Sequence, residues 1–422
     1  MLSRYYQLLR HNRNFRLLWA AQLVSEMGDW FYSLSVYHLL LELTGGRAQA
    51  VGLAVVLQVL PQTLAAPTAG VLNDRLSRRA IMIGADVARF FIVLGMLTVR
   101  TPGMVWLVYV LLLCETVGAA FFEPGRGGVI PNIVAEKEVL TANALSSTTW
   151  SFCLAAGASL GGLVAVKYGR DAVFLLNALS FLTSALLIRG MQFAEPHTVG
   201  RAPVQWRDLI DFRPVLEGAR YIRSDPRLFA TVFVKGGLGL LGANNVLLPI
   251  FGERIYPVRL AGVDPHRGAM LGMSILMGAR GAGALLGPLM SGRWAGDRQA
   301  RLRSGILFGF LLAAAGYFWL GASTGLAIAA FTVMLAHAGT SSNWVFSTTL
   351  LQLYTDDRFR GRVFAADYGL CMLGISVSSY LASVVIDLGV PPRTLATALG
   401  CVMVLAAVAW AMALRATPSK KP

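Results

Sequence analysis

Apolar stretches of about twenty residues recur along the whole chain, and they constrain its fold more than any other feature. A membrane-spanning helix needs about 20 mostly apolar residues. By that criterion the sequence predicts twelve spans: 15–40, 48–72, 80–99, 103–123, 143–166, 171–192, 226–251, 267–290, 304–322, 324–346, 363–386 and 392–414. Only 14% of the residues are charged and 55% are hydrophobic, against about 25% and 45–50% in soluble domains. The sequence therefore predicts an all-α, polytopic membrane protein.

Basic residues between the predicted spans give the orientation of the chain. If the N-terminus is cytoplasmic and successive loops lie on alternate sides of the membrane, 26 of the 37 Lys and Arg residues fall in cytoplasmic segments and 8 in outside segments. Cytoplasmic loops collect Lys and Arg, so both termini are predicted to lie in the cytoplasm. A net charge of +15 is then explained by loops that face anionic lipid, and nucleic acid is not expected as a partner.

The predicted spans divide into two pseudo-symmetric six-helix bundles. Residues 1–192 form the N-terminal bundle, 193–225 a cytoplasmic linker with an amphipathic helix, and 226–422 the C-terminal bundle with a short basic tail. Similar short motifs recur in the two halves at offsets of about 211–220 residues, as expected for two parallel repeats.

Signatures of catalysis and of cofactor binding are absent from the sequence. It contains no Walker loop, no Gly-x-Ser-x-Gly, no His-Glu-x-x-His and no Cys-x-x-Cys, so neither ATP-driven pumping nor a common hydrolase mechanism is indicated. The four cysteines lie in separate apolar runs without metal-ligand spacing. We expect no enzyme activity, no catalytic residue, no cofactor and no metal.

Four motifs, taken together, carry a resemblance to a known family. They are Asn12-Arg-Asn-Phe-Arg16, Gly70-Val-Leu-Asn-Asp74-Arg75-Leu-Ser-Arg78-Arg79, Phe121-Phe-Glu-Pro124 with Ile130-Pro131, and Asp357-Arg-Phe-Arg-Gly361-Arg362-Val363. The chain resembles the major facilitator superfamily over residues 12–410. It is most similar to the bacterial branch that holds enterobactin-type siderophore exporters and macrolide-efflux proteins.

The resemblance implies a cytoplasmic latch between the two halves. Its predicted members are Gly70, Asp74, Arg75, Arg78, Arg79, Gly361 and Arg362. In that family the loop after helix 2 meets the start of helix 11, where unsatisfied N–H groups and the positive end of the helix dipole stabilise a carboxylate. In the second half Ser291 stands at the position that matches Asp74, so we expect the latch on one side only.

Ionisable residues inside the apolar spans are the candidates for proton coupling. Such residues are costly in a membrane and usually face the bundle interior, pair with one another, or carry substrate or protons. Glu26, Asp29 and Glu115 lie near the middle of helices 1 and 4, which line the central cavity in the family. A purely structural hydrogen-bonded network is the alternative interpretation of these three carboxylates.

Other polar residues in the spans are assigned to the cavity or to structure. The substrate-cavity candidates are Gln22, Lys235, Arg280, His337 and Asn343. Asp86 and Arg89 stand three residues apart on helix 3, and this spacing predicts a structural ion pair.

The resemblance implies a secondary transporter of the bacterial inner membrane that works by alternating access. We expect export of an amphipathic or hydrophobic small molecule, such as a siderophore, a macrolide or another drug, driven by proton antiport. Its partners would be that substrate, protons and membrane lipid, and we expect a monomer. The alternatives are a passive or lipid-handling carrier, such as a lysophospholipid flippase, and a siderophore importer. A membrane enzyme or receptor is disfavoured by the missing catalytic motifs.

Overall fold

The computed structural model describes residues 2–195, 213–259, 265–296 and 298–416. Within these ranges every regular element is helical and no strand occurs. Residues 196–212 of the predicted linker and Lys420 and Lys421 of the predicted tail lie outside the described residues. The helices group into two compact units, Met1–Gly46 with Leu57–Asp211 and Arg47–Val56 with Phe212–Pro422.

Seven α-helices lie in the described part of the first unit. They are α1 (Leu2–His11), α2 (Arg13–Leu43), α3 (Ala48–Arg75), α4 (Arg78–Gly95), α5 (Val105–Ile133), α6 (Val139–Tyr168) and α7 (Arg170–Arg189). Residues Arg47–Val56, and with them the beginning of α3, group with the second unit. Within the first unit, α2 packs on α6 and α7, while α4 packs on α5 and α7. The side chain of Asn12 caps α2 by accepting from the Phe15 N–H at 2.9 Å, as its position before the helix favours.

Eight further α-helices lie in the described part of the second unit. They are α8 (Arg213–Ser224), α9 (Pro226–Leu240), α10 (Asn244–Ile250), α11 (Pro265–Ala295), α12 (Gln299–Ala322), α13 (Leu326–Tyr354), α14 (Asp357–Asp387) and α15 (Pro392–Ala416). Here α13 packs on α11 and α12, α15 on α12, and α9 on α14. The short helix α8 occupies the segment in which the sequence predicts an amphipathic helix.

The seventh predicted span is interrupted. A single helix is predicted over 226–251, but α9 is followed by a 3₁₀ turn at Leu241–Ala243, then α10, then a π-helical turn at Phe251–Ile255. Gly239 and Gly242 lie directly on α14: a Cβ at Gly242 would come within 2.5 Å of the Ile375 Cα. This close approach and Pro249 inside α10 explain the irregular backbone, because glycine and proline both weaken regular helix hydrogen bonding.

Ten helical segments among the described residues are long and apolar enough to cross a membrane. Two more, α2 and α13, have 31 and 29 residues but are too polar to meet the same criterion of length and hydropathy. They carry Glu26 and Asp29 in one case and His337 and Asn343 in the other. Together they make the twelve membrane-length segments that the sequence predicts. These two spans thus hold five of the eight proton-coupling and substrate-cavity candidates.

Small residues bring helices of the first unit close together. A Cβ at Gly157 on α6 would come within 2.9 Å of the Trp30 Cβ, and one at Gly161 within 2.9 Å of the Phe31 Cα. Larger residues at these two positions would push α6 away from α2. Such small-residue contacts are the usual way in which helices pack in lipid, where apolar burial gives little driving force.

One helix start in the second unit is capped by a side chain far away in sequence. The carboxylate of Asp387, at the end of α14, accepts from the N–H of Ala48 through one oxygen and from the N–H of Gln49 through the other, both at 2.8 Å. These donors belong to the first turn of α3, where the N–H groups have no carbonyl partner within the helix. Gly52 lies one turn further along, where a Cβ would approach the Ser383 Oγ to 2.1 Å. The beginning of α3 therefore rests on the end of α14.

Candidate functional site

A buried arginine organises the polar interior of the first unit. Arg89 on α4 is only 4% exposed. Its Nε donates to the Oε1 of Glu115 on α5 at 2.8 Å. Its Nη2 donates to both carboxylate oxygens of Asp29 on α2, at 3.1 and 3.0 Å. The guanidinium thus joins two of the three proton-coupling candidates, which come from different helices.

The surroundings of Arg89 hold its guanidinium in place. The ring of Phe181 lies against it, with 3.8 Å from the guanidinium carbon to the ring centroid, a cation–π arrangement. Gly118 on α5 leaves room for the side chain, because a Cβ there would approach the Arg89 Cγ to 2.8 Å. The rotamer of Arg89 is therefore fixed by packing as well as by its carboxylate partners.

Asp86 is the third carboxylate near Arg89. It is fully buried, and its Oδ1 lies 4.0 Å from the Arg89 Nη1. The sequence spacing predicts these two residues as a pair, and the structure places Glu115 and Asp29 closer to the guanidinium than Asp86. The result is one cation facing three carboxyl groups, which we call the Arg89 cluster (Arg89, Asp29, Asp86 and Glu115).

The members of the Arg89 cluster differ in exposure. The side chain of Asp29 is 35% exposed, that of Glu115 9% and that of Asp86 0%. Asp29 is therefore the most accessible of the three carboxyl groups, while Glu115 and Asp86 are covered by protein.

The third proton-coupling candidate, Glu26, lies outside the Arg89 cluster and has other partners. It accepts from the Gln22 Nε2 at 2.9 Å, and its Oε1 lies 4.0 Å from the Arg126 Nη2. Arg126 is bound more closely by Glu123, at 2.6 Å. Gln22 also donates to the Ser146 carbonyl at 3.0 Å. Gln22 is therefore bonded within the first unit and only 2% exposed.

The second unit has its own buried ion pair. The Nζ of Lys235 on α9 donates to the Oδ2 of Asp367 on α14. The side chains are 3% and 0% exposed. The ammonium also lies over the ring of Trp344 on α13, 4.5 Å from its centroid. The sequence analysis selected Lys235 but missed Asp367, although the same criterion, an ionisable residue in an apolar run, identifies it within 363–386.

The other three cavity candidates occupy different positions in the second unit. Arg280 on α11 donates to the Asn245 Oδ1 at 2.6 Å. His337 on α13 lies 3.1 Å from the Tyr317 hydroxyl on α12. Asn343 is fully buried and faces α12, where a Cβ at Gly309 would approach its Oδ1 to 2.0 Å. Among the described residues, no group of three or more His, Cys, Asp or Glu side chains is placed to hold a metal ion.

Comparison with known proteins identifies the family. A family model described as "Transmembrane secretion effector" (MFS_3) matches residues 6–421. The chain belongs to this family of the major facilitator superfamily. Its members are transporters, so the protein is a multi-pass membrane transporter of a small molecule and not an enzyme.

Named relatives and solved structures agree with this assignment. The chain is 26% identical over 384 residues to macrolide efflux protein A of Streptococcus pyogenes, with 88% of this chain and 89% of the relative covered. It is 24% identical over 383 residues to the bacilysin exporter BacE of Bacillus subtilis, whose assignment is provisional, with 88% of each covered. The fold matches a POT family transporter crystallised with a thioalcohol-conjugated peptide, with a TM-score of 0.74, 12% identity and 97% of both chains covered. The predicted major facilitator fold is thus confirmed.

The superfamily's loop after helix 2 follows α3 and makes several polar contacts within the first unit. Asp74 pairs with Arg78 at 3.2 Å, and its side chain is 66% exposed. Arg78 also donates to the Gly128 carbonyl at 2.5 Å, and Arg79 donates to the Arg189 carbonyl. Gly70 and Arg75 lie in the last two turns of α3. The arginines thus fasten the loop to α5 and α7, while Asp74 stays exposed.

The predicted latch residues of the second unit lie at the start of α14. Arg362 pairs with Glu217 of α8 at 2.8 Å, and its guanidinium lies 5.4 Å from the centroid of the Phe359 ring. Gly361 precedes it, and no heavy atom lies within 4 Å of where its Cβ would be. The latch itself stays a prediction.

Proposed function

We propose that this transporter exports an amphipathic or hydrophobic small molecule across the bacterial cytoplasmic membrane by proton antiport and alternating access. The two halves would rock about a central site, with both termini in the cytoplasm and the monomer as the working unit. The observation that carries the proposal is the Arg89 cluster. The predicted domain division at 1–192, 193–225 and 226–422 is part of the same proposal.

Charge balance makes the Arg89 cluster suitable for carrying protons. One guanidinium can compensate one carboxylate, yet Arg89 faces Asp29, Glu115 and Asp86. Uncompensated charge is expensive in a membrane interior. Binding or releasing a proton at Asp29 therefore changes how strongly Arg89 is held by Glu115. A proton that enters at the exposed carboxyl can in this way alter the contacts among α2, α4 and α5.

Direction and substrate class are supported by the relatives. One is named for macrolide efflux and another for bacilysin export. Both names describe movement of a small molecule out of a cell, so export is the direction we propose here. The remaining candidates, Gln22, Glu26, Arg280, His337 and Asn343, are proposed as further cavity or coupling residues.

Transport by purified protein in proteoliposomes tests the proposal. Wild-type protein should move a fluorescent efflux substrate uphill when a pH gradient is imposed and not when the gradient is collapsed. Asp29→Asn mimics a permanently protonated carboxyl at nearly unchanged volume. We expect this variant to exchange substrate at equal concentrations on both sides but to lose uphill transport.

A matched control separates coupling from general damage. Asp171→Asn removes an exposed carboxylate whose partner is Arg100 at 2.8 Å, and it should leave uphill transport unchanged. If wild-type transport ignores the pH gradient, or if Asp29→Asn and Glu115→Gln both stay fully gradient-driven, proton antiport is wrong. A passive or lipid-handling carrier with structural carboxylates would then be the better account.

A further inference from the structure

An ammonium group lies inside a small cage in the second unit. We define the Asp367 cage as Asp367 and Phe364 on α14 and Trp344 on α13. The Lys235 ammonium contacts all three: it donates to the Asp367 Oδ2 and lies 4.5 Å from the Trp344 ring centroid and 5.8 Å from that of Phe364. Lys235 reaches this position from α9, a third helix.

The composition of the cage is that of an organic-cation site. A cation within about 6 Å of an aromatic centroid is attracted by the negative face of the ring. A carboxylate adds a charge-assisted hydrogen bond. Proteins that recognise ammonium ligands combine these same elements. Lys235 therefore acts as a cation that the chain itself supplies to the cage.

Lys235 donates to only one oxygen of the Asp367 carboxylate, Oδ2. Its Oδ1 is buried and has no hydrogen-bond partner among the described residues, although Asp367 is 0% exposed. A buried ion pair that serves only structure is stable when its remaining lone pairs are satisfied. The vacant acceptor is thus an independent sign that a second donor belongs in the cage.

We propose that the Asp367 cage is the subsite for a positively charged nitrogen of the exported substrate, with Lys235 as the tethered cation that leaves when the substrate arrives. This inference rests on the proposed export function, since it names the substrate as an amphipathic organic cation. Trp344 is 36% exposed, so its indole can contact the apolar body of such a ligand while its face contacts the charge.

An anionic ligand fits the same residues less well. Binding an anion to Lys235 would separate the ammonium from Asp367 and leave a buried carboxylate without its cation. Breaking a buried pair in this way is strongly destabilising. A cation that replaces Lys235 at Asp367 keeps the carboxylate compensated throughout, and the released lysine is a long, flexible side chain that can reach water.

Two probes of the same shape and opposite charge test the proposal. Tetraphenylphosphonium and tetraphenylborate have nearly equal size and hydrophobicity, so their difference reports charge. Equilibrium binding of each is measured with the full-length protein in detergent, without any gradient. We expect saturable binding of tetraphenylphosphonium and much weaker binding of tetraphenylborate.

Variants of the ion pair should shift cation affinity in opposite directions. Asp367→Asn should weaken tetraphenylphosphonium binding about tenfold or more, because a charge-assisted contact is lost. Lys235→Gln should tighten it by at least about threefold, because the tethered competitor is gone. Lys167→Gln, at an exposed position, is the matched control and should not change affinity.

The opposite signs distinguish a binding site from a structural pair. If both single variants bind the cation like wild type, or both weaken it equally, the proposal is wrong. If either single variant does not fold, Lys235→Gln with Asp367→Asn supplies a neutral pair of similar volume; it should fold and bind tetraphenylphosphonium more weakly than wild type, because the carboxylate is gone. Binding as tight as that of wild type would also overturn the proposal.

The binding test and the transport test can each contradict one proposal without contradicting the other. Charge-selective binding that depends on Asp367 would support the cage even if transport proved independent of the pH gradient. Gradient-driven export with no charge selectivity in binding would keep the proposed function and refute the cage.

Discussion

Arg89 and Glu115 are joined by a hydrogen bond of 2.8 Å from Nε to Oε1, between helices that begin 27 residues apart, at Arg78 and Val105. Both side chains are largely covered by protein, at 5% and 9% exposure. This contact ties α4 to α5, and the bond from the same guanidinium to Asp29 ties α4 to α2. Arg89 therefore links three helices of the first unit through its carboxylate partners.

Replacement of Arg89 should destabilise the protein more than replacement of any surface arginine. Arg89→Gln leaves Glu115 and Asp29 without their cation, and breaking a buried pair typically costs about 3–5 kcal/mol. We expect a markedly lower unfolding temperature by tryptophan fluorescence in detergent. Arg100→Gln, at an exposed pair with Asp171, should change it little, since such pairs contribute about 0–1 kcal/mol.

A compensating change should restore part of that stability. Arg89→Gln with Glu115→Gln removes one charge of each sign and leaves two amides that can hydrogen-bond. If the double variant is no more stable than Arg89→Gln alone, charge compensation is not the role of Arg89.

Asp74 should matter for transport and very little for stability. Its carboxylate is exposed and pairs only with Arg78 at 3.2 Å among the contacts described for it, so Asp74→Asn should keep the unfolding temperature within about 1 °C, since exposed pairs contribute little. As the proposed latch residue it should nevertheless slow export severalfold. Thermal unfolding and initial transport rates measured on the same preparation check both parts, and normal export would refute the latch.

Asp225 should make a small part of the stability depend on acid pH. It caps α9, accepting from the Arg227 N–H and Nη2 at 2.8 Å each. These hydrogen bonds, those from Arg227 first, lower the pKa of Asp225 below its ordinary value. The contribution is therefore complete above the unfolded pKa, about 3.9, and is lost as pH falls through the lower folded pKa.

The Asp225→Ser variant isolates this effect. Serine keeps the cap without the charge, whereas Asp225→Ala removes the cap and should cost about 0.5–2 kcal/mol at neutral pH. Unfolding temperatures measured between pH 5 and 3 should fall more steeply for wild type than for Asp225→Ser. Parallel curves would show that the charge does not contribute.

Cysteine labelling should give the orientation of the chain. In a background without the four native cysteines, Thr101→Cys, between α4 and α5, should react with an impermeant thiol reagent in whole cells. Glu136→Cys, between α5 and α6, should react only after the membrane is opened. The reverse pattern would refute the proposed cytoplasmic termini.

The membrane helices could be predicted because hydrophobic length is a local property of the sequence. The predicted span 171–192 and the helix Arg170–Arg189 nearly coincide. The interruption between α9 and α10 could not be foreseen in the same way. It depends on how closely Gly239 and Gly242 approach α14, which is a property of the packed structure.

The residues of the candidate site could be predicted from the sequence, but their partners on other helices could not. Charged side chains in apolar runs pointed to Asp29 and Glu115. Sequence spacing, however, reports only on neighbours within one helix, and so it favoured Asp86 as the partner of Arg89. The closer partners lie on α2 and α5, because the rotation of each helix about its axis decides which side chains meet.

The cap that Asp387 places on α3 has a consequence for how this protein tolerates mutation. Gln49 takes part through its peptide N–H group and its side chain is exposed, so almost any side chain at this position preserves the contact, whereas Ala48 is fully buried and a larger residue there would be overpacked. Proline is the exception at position 49: it is usually well tolerated in the first turn of a helix, where its missing N–H is not needed, but here that N–H has an acceptor. A saturation library should therefore be permissive at position 49 for every residue except proline and restrictive at position 387. Covariation between these positions would be undetectable, although they are directly bonded.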